Sequence, residues 1–232
     1  MTAPMIRDIA LRDRVIVALD YRDPSQARAL VKQCESHIGF YKVGLELFMA
    51  DWFYTVDWLI ERGHQVMLDL KYHDIPNTVA GAVTQAARHR IRFCTVHARD
   101  TLIGAAVQAS SNTEILAVTV LTSVAATSDN VEEKVLARAR RALAEGGAGI
   151  VCSGHEISRI RTELGDQPII VTPGIRPFGC GGADDQRRVV TAGAAVAAGA
   201  DHLVVGRPLT KAVDPLAVIE VMQEEIVKTV DG

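Results

Sequence analysis

Hydrophobic residues gather in short Val-, Ile- and Leu-rich runs, and between most of them apolar and polar positions recur with a helical period. The runs predict strands at Val15–Asp20, Phe40–Gly44, Gln65–Lys71, Arg92–His97, Ile115–Thr122, Gly149–Cys152, Ile169–Thr172 and His202–Gly206. The intervening periodicity predicts helices over Pro24–Cys34, Leu47–Arg62, Thr78–His89, Val131–Glu145, Arg187–Ala198 and Pro215–Val227. Helix starts are signalled by Pro24 after Asp23, by Asn77 after Pro76, and by Asp129 with Glu132 three residues on. Continuous apolar strands alternating with helices imply a parallel sheet whose outer face is covered. Eight strands with a mean repeat of about 27 residues fit an α/β fold of the (β/α)8 TIM-barrel type, which typically needs roughly 250 residues. An open doubly wound sheet is the alternative. It would usually show a G-x-G-x-x-G turn after the first strand, where YRDPSQ stands instead. No linker, low-complexity tract or charge block divides the chain, so residues 1–232 are read as a single barrel domain.

The strands are nearly uncharged until their last residues. The first ends in Asp20, the second carries Lys42, the third ends in Asp69 and Lys71, and the fourth in His97. The fifth ends in Thr122, and the eighth runs into Gly206 and Arg207. In a barrel these ends converge on one rim, where active sites are built.

Composition narrows the function classes. With 25 basic and 28 acidic side chains the net charge is −3, which gives no global cationic field to recruit nucleic acid or an anionic membrane. Basic and aromatic residues do not interleave as on an RNA-binding surface. The longest uncharged stretch, Ile115–Ser128, has 14 residues with five Ser or Thr, short of the roughly 20 apolar residues of a membrane helix. Charges also interrupt the N-terminal segment too often for a signal core. Cys34, Cys94, Cys152 and Cys180 form no C-x-x-C pair and read as buried free thiols, which suits a cytoplasmic protein. The histidines show neither H-E-x-x-H nor H-x-H spacing, so no metal site is expected. His73, His97 and His155 stay open between structural and site roles. Trp52, Phe53, Tyr54 and Trp58 share one helical segment and are expected to pack it against the barrel or a partner subunit.

Asp69 and Lys71 are two apart on a strand, so both point to one face while Leu70 faces the helical layer. If Asp20 and Lys42 also face the lumen, four charges of alternating sign share a small space. An ion-pair network closing the barrel mouth is one reading, but buried opposite charges stabilise little net. Such arrays are kept mainly where an electrostatic task requires them. Flanking carboxylates would hold Lys71 as an ammonium. In a dry pocket that ammonium can stabilise an adjacent carbanion and then protonate it. This suits reactions through a carbanion, decarboxylation among them, without naming a substrate. Later, Thr172–Arg176 ends strand seven, a Gly-rich stretch follows, and strand eight delivers V-V-G-R-P. Barrels often bind phosphate with these loops and a nearby helix N-terminus. Gly206 permits close backbone approach, and Arg207 can fork onto phosphate oxygens. Gly174–Ala183 is read as a lid over this site rather than a plain surface loop.

The stretch D-L-K-Y-H-D-I-P-N-T-V, Asp69 to Val79, matches the D-x-K-x-x-D-I-P-x-T motif of the orotidine 5′-phosphate decarboxylase family, which the chain resembles from residue 15 to residue 211. Supporting matches, in the family's order, are V-A-L-D (Asp20), Y-K-V-G (Lys42), T-V-H-A (His97), V-L-T-S (Thr122), V-T-P-G-I-R-P (Pro173 to Pro177), D-Q-R-R (Gln186) and V-V-G-R-P (Gly206, Arg207). The resemblance implies a barrel homodimer, a carboxy-lyase of UMP biosynthesis that converts orotidine 5′-phosphate to UMP and CO2 with no metal or organic cofactor. It implies Lys71 as proton donor to C6 and Asp69 beside the substrate carboxylate. Asp20 and Lys42 would bind ribose hydroxyls and orient the array. Asp74, with Ile75 and Thr78, would reach into the neighbouring subunit's site. Thr122 would meet the pyrimidine edge, with Ser123 the alternative in another strand register, and Pro173 would line the pyrimidine pocket. Gln186 and Arg207, with Gly206, would hold the phosphate.

Two rival readings share part of this pattern. Metal-dependent 3-keto-gulonate-phosphate decarboxylases and hexulose-phosphate synthases share D-x-K-x-x-D, but an acidic residue on their second strand helps bind Mg²⁺, where this chain has Lys42. A non-catalytic phosphate-ligand sensor on a barrel would not need Lys42, Asp69, Lys71 and Asp74 together.

Overall fold

The structure, a computed structural model, describes residues 6–99, 101–120, 131–177 and 190–231. Eight strands, β1 Val15–Ala18, β2 Phe40–Gly44, β3 Gln65–Tyr72, β4 Phe93–His97, β5 Glu114–Val118, β6 Gly149–Val151, β7 Ile169–Pro173 and β8 His202–Val205, form a closed barrel in chain order. Each pairs in parallel with the next, and β8 returns to β1. The hydrophobic pattern predicts this (β/α)8 barrel. The helices described are α1 Leu11–Arg14, α2 Pro24–Cys34, α3 Leu45–Asp51, α4 Tyr54–Glu61, α5 Pro76–Ala87, α6 Leu102–Ala109, α7 Val131–Ala144, α8 Ile157–Leu164, α9 Ala192–Ala197, α10 Arg207–Thr210 and α11 Pro215–Asp231.

Alternation along each strand separates two apolar layers. Ile16, Ala18, Phe40, Met67, Phe93, Leu116, Ile169, Val171 and Val204 fill the lumen. Val15, Val17, Val43, Val66, Leu68 and their counterparts pack outward under the helices. Both faces of the sheet are therefore dry, which is why the strands read as continuous apolar runs. The rings of Phe40, Phe93 and His202 meet at 5.3–5.5 Å in the lumen.

Differences from the predicted elements have local causes. The single helix expected over Leu47–Arg62 is two, α3 and α4, divided at Trp52, whose φ of 50° is left-handed. No glycine or proline marks that break. The Trp52 ring instead packs between Phe48 at 5.0 Å and Phe53 at 5.2 Å, and the Trp52 backbone N–H donates to the Phe48 carbonyl. Helix α5 starts at Pro76 with Ile75 as its cap, so Asn77 plays no capping part. Asp23 caps α2, accepting from the Ser25 N–H. Asp129 lies outside the described residues. Helices α6 and α8, eight residues each, were not expected; α6 (LIGAAVQA) is too uniformly small and apolar to show a face. Strand β5 stops at Val118, short of the expected Thr122, which lies outside the described residues. Of the expected Arg187–Ala198 helix, α9 begins only at Ala192, where Thr191 caps it, and residues 187–189 are outside the described set. Cys34, Cys94 and Cys152 are buried, as expected, and Cys180 lies outside the described residues. Among the described residues no helix is long and apolar enough to cross a membrane.

Candidate active site

Inward positions of β1, β2 and β3 carry Ile16 and Ala18, then Asp20; Phe40, then Lys42; Met67, then Asp69. On these three strands apolar residues thus fill the lower lumen and the charged ones stand at its C-terminal mouth. Lys42 Nζ donates to Asp20 Oδ1 at 3.0 Å and stands 3.5 Å from Asp69 Oδ2. Lys71 Nζ donates to Asp69 Oδ2 at 2.8 Å. At Gly44, the end of β2, a Cβ would lie 3.0 Å from both Asp20 Oδ1 and Lys42 Nζ, so the missing side chain makes room for that pair.

The array fixes its own charge states. Burial by itself would push the Lys42 ammonium down, but the carboxylates of Asp69 and Asp20 outweigh it and hold Lys42 above the ordinary lysine range. Burial would likewise raise Asp69, yet Lys42 and Lys71, with hydrogen bonds from Lys71 and Thr95, hold it below the ordinary carboxylate range. Behind it, burial and the Asp69 charge push the Cys94 thiol up to about 12, so no thiolate competes as a nucleophile here.

Lys71 does not reach this cluster by simple alternation. Leu68 pairs with Cys94 and Tyr72 with Val96, so three residues of β3 oppose Thr95 alone. In this bulge Lys71 has φ 51°, a left-handed conformation costing about 1–2 kcal/mol in a non-glycine residue. Its N–H donates to Thr95 Oγ1 at 3.0 Å, and Thr95 Oγ1 donates to Asp69 Oδ1 at 2.9 Å. The expected shared face of Asp69 and Lys71 is reached through a bulge. Leu70 packs against the helical-layer core, as expected.

Above the array is a cavity of about 900 Å³. Asp20, Lys42, Asp69 and Lys71 line one side, and Pro173, Gly206 and Arg207 line another, so seven of the predicted site residues share it. Arg176 lines it as well, although no role was assigned to it from the sequence. Burial, then Arg176, lowers Arg207 below the usual guanidinium range against the pull of Asp20, so two cations converge at this edge. A Cβ on Gly206 would meet only Asp20 Oδ2 at 3.6 Å and the Ala18 Cβ at 3.7 Å, ordinary contacts. The protein's own packing does not require that glycine, but a ligand approaching the backbone would.

Asp74, Ile75 and Thr78 are exposed and do not line the cavity of their own chain. Asp74 Oδ1 instead accepts from the Ile75 N–H at 2.6 Å. Thr122, Ser123 and Gln186 lie outside the described residues, as does most of the Gly174–Ala183 segment. The rings of His97 and His73 meet at 5.0 Å, tilted by 50°, at the rim, and His97 is lowered by burial and then by His73 and Lys71. Sequence reasoning missed Arg176 and Thr95. The first was signalled only by its position beyond strand seven, and the second, an isolated threonine in F-C-T-V-H, carried no signal.

The profile of a family described as "Orotidine 5′-phosphate decarboxylase / HUMPS family" matches residues 13–222. The chain is 44% identical over 228 residues to "Orotidine 5′-phosphate decarboxylase" of Methylococcus capsulatus, covering 95% of this chain and 94% of that protein. It is 45% identical over 228 residues to the protein of the same name from Rhodopseudomonas palustris strain HaA2, covering 94% and 97%. Among solved structures, orotidine 5′-phosphate decarboxylase from Lactobacillus acidophilus superimposes with a TM-score of 0.78 at 35% identity, over 92% of this chain and 99% of that one. An uncharacterized conserved protein from Geobacillus kaustophilus gives a TM-score of 0.78 at 32% identity, over 91% and 99%.

Proposed function

The chain belongs to the orotidine 5′-phosphate decarboxylase / HUMPS family, and we propose that it removes CO2 from orotidine 5′-phosphate to give UMP, with Lys71 protonating C6. The observation that carries this reading is the Lys42–Asp69–Lys71 cluster at the floor of the cavity. Asp69, held ionised, lies where it disfavours a second carboxylate, that of the bound substrate. As the C–C bond breaks and CO2 leaves, the electron pair stays on C6. The Lys71 ammonium stabilises that charge and then delivers a proton to it, and solvent reprotonates the amine. Lys42 and Asp20 orient the array and bind the ribose hydroxyls. Pro173 lines the pyrimidine pocket. Arg207 and Arg176 clamp the phosphate, with Gly206 admitting it close to the backbone. Thr122 on the pyrimidine edge and Gln186 on the phosphate rest on the family resemblance alone.

Lys42 also speaks against the metal-dependent branch. A divalent ion on Asp69 would face two ammonium groups, at 2.8 and 3.5 Å from one carboxylate oxygen. The enzyme is read as a homodimer of single-domain barrels, in which Asp74, Ile75 and Thr78 complete the partner's cavity. Support comes from their exposure and from the bare apolar side chains that follow β2, Leu45, Met49, Trp52 and Tyr54.

Purified protein should consume orotidine 5′-phosphate, followed by the change in pyrimidine absorbance, at a rate that exhaustive chelation leaves unchanged. No turnover would sink the reading, and a strict Mg²⁺ requirement would move the chain to the metal-dependent decarboxylases.

A further inference from the structure

Thr95 is fully buried on β4 and does not line the cavity. Its hydroxyl has one proton and two lone pairs. A backbone N–H can only donate and an ionised carboxylate can only accept, so both roles of that hydroxyl are fixed. It accepts from the Lys71 N–H at 3.0 Å and donates to Asp69 Oδ1 at 2.9 Å. The same oxygen therefore holds the backbone of one member of the cluster and the carboxylate of another.

The bulge makes the first contact matter. Lys71 has no ladder partner between the Leu68–Cys94 and Tyr72–Val96 pairs, so Thr95 Oγ1 replaces the strand partner its N–H lacks. The left-handed Lys71 backbone, which an L-residue avoids when free to relax, is held by that bond. The second contact fixes the other oxygen of Asp69, leaving Oδ2 aimed at Lys71 at 2.8 Å and at Lys42 at 3.5 Å.

We propose that Thr95 is a positioning residue for the reaction: its hydroxyl sets the distance and angle between the Lys71 ammonium and the Asp69 carboxylate without touching substrate. This rests on the reading above that Lys71 and Asp69 carry the chemistry. The Thr95 hydroxyl bonds Lys71 and Asp69, not Asp20 or Lys42, to which the ribose is assigned, and not the phosphate cations Arg176 and Arg207, so its loss falls on the chemical step more than on substrate binding.

Thr95→Val removes both hydrogen bonds at nearly constant shape, and Thr95→Ser keeps them. Thr95→Val should lose about 100-fold in kcat with KM within about threefold of native, and Thr95→Ser should keep kcat within about threefold. If Thr95→Val does not fold, Thr95→Ala removes the same hydroxyl without an added methyl group. Equal losses in the Val and Ser variants, or a rise in KM at unchanged kcat, would overturn the proposal. A crystal structure of the Val variant tests it without any substrate. Lys71 should leave its left-handed conformation and Nζ should part from Asp69, whereas an unchanged bulge and contact would refute the positioning role. Inactivity of the native protein would instead refute the decarboxylase reading, and the crystallographic result would stand apart from it.

Discussion

Both ends of the barrel bury charge, and they do so in opposite ways. At the N-terminal end Asp201, almost wholly buried, accepts from Arg161 Nη2 at 2.7 Å and from the Ile170 N–H at 2.8 Å, with Arg7 Nε at 3.2 Å. Arg161 spends its other donors on fixed backbone: Nε on the Gly199 carbonyl at 2.9 Å, and Nη1 on the carbonyls of Pro168 at 2.8 Å and Gly165 at 3.2 Å. A Cβ at Gly199, where φ is +104°, would come within 2.9 Å of Arg161 Cγ, so the chain turns there on a glycine to admit the guanidinium. At the C-terminal mouth Lys42 and Lys71 are paired with the side-chain carboxylates of Asp20 and Asp69, and the cluster opens into the large cavity. Saturated charges tie β7 and β8 to their neighbours; charges with room above them can act on something that enters. Residue types alone do not distinguish the two.

That contrast can be broken at its strongest point by exchanging the two phenotypes. Lys71→Ala should lower kcat by about four orders of magnitude, the upper end for losing a positioned proton donor and about 5 kcal/mol of transition-state stabilisation. Thermal stability should barely move, because Asp69 keeps Lys42 and Thr95. Mixed with Asp74→Ala subunits, the same variant should regain activity, since the proposed sharing leaves one of the two sites of a heterodimer with neither substitution. No recovery after verified subunit exchange would show that each site is built within one chain.

The mirror experiment is Asp201→Ala. It strips Arg161 and Arg7 of their counter-ion in a dry site, which should destabilise the fold by about 3–5 kcal/mol, roughly a 10 °C fall in melting temperature for a chain of this size. Turnover per folded molecule should stay native below the new midpoint. A kcat loss at full folding would mean that the two ends are coupled.

The same contrast explains what the sequence revealed. Strand number, order and parallel sense were legible because both faces of the sheet are dry, so each strand is a continuous apolar run. The mouth was legible because Asp20, Lys42, Asp69 and Lys71 interrupt those runs at one end. The bulge at Lys71 was not, since nothing local calls for a left-handed lysine; it depends on Thr95, distant in sequence. The break at Trp52 was hidden for a like reason, being set by aromatic packing instead of a glycine. The Arg161–Asp201 network was invisible because most of its partners are backbone carbonyls, which every residue carries.

The smallest expected effect separates the ends by pH. His202 lies in the lumen at the N-terminal end, its ring edge-on to Phe40 and Phe93, and its Nδ1–H donates to the Asp13 carbonyl at 2.8 Å. Burial pulls it down to about 4, against that hydrogen bond and Asp201, which raise it. The unfolded chain titrates the same imidazole near 6.5. Between these values the unfolded state binds the proton more readily, so stability is complete above pH 6.5 and falls as pH drops toward 4, by about 3 kcal/mol in all. Asp69 is depressed below the ordinary carboxylate range, so its contribution is lost only at lower pH still, and the mouth keeps its charges across this window. His202→Asn retains a donor for Asp13 but cannot titrate. Denaturant midpoints of native and variant protein should therefore diverge from pH 7 to pH 4, the native losing more. His64 and His97, also lowered by burial, remain in both proteins and cancel in the difference. Parallel curves would mean that His202 protonates without penalty, and that the N-terminal end is as open to water as the mouth.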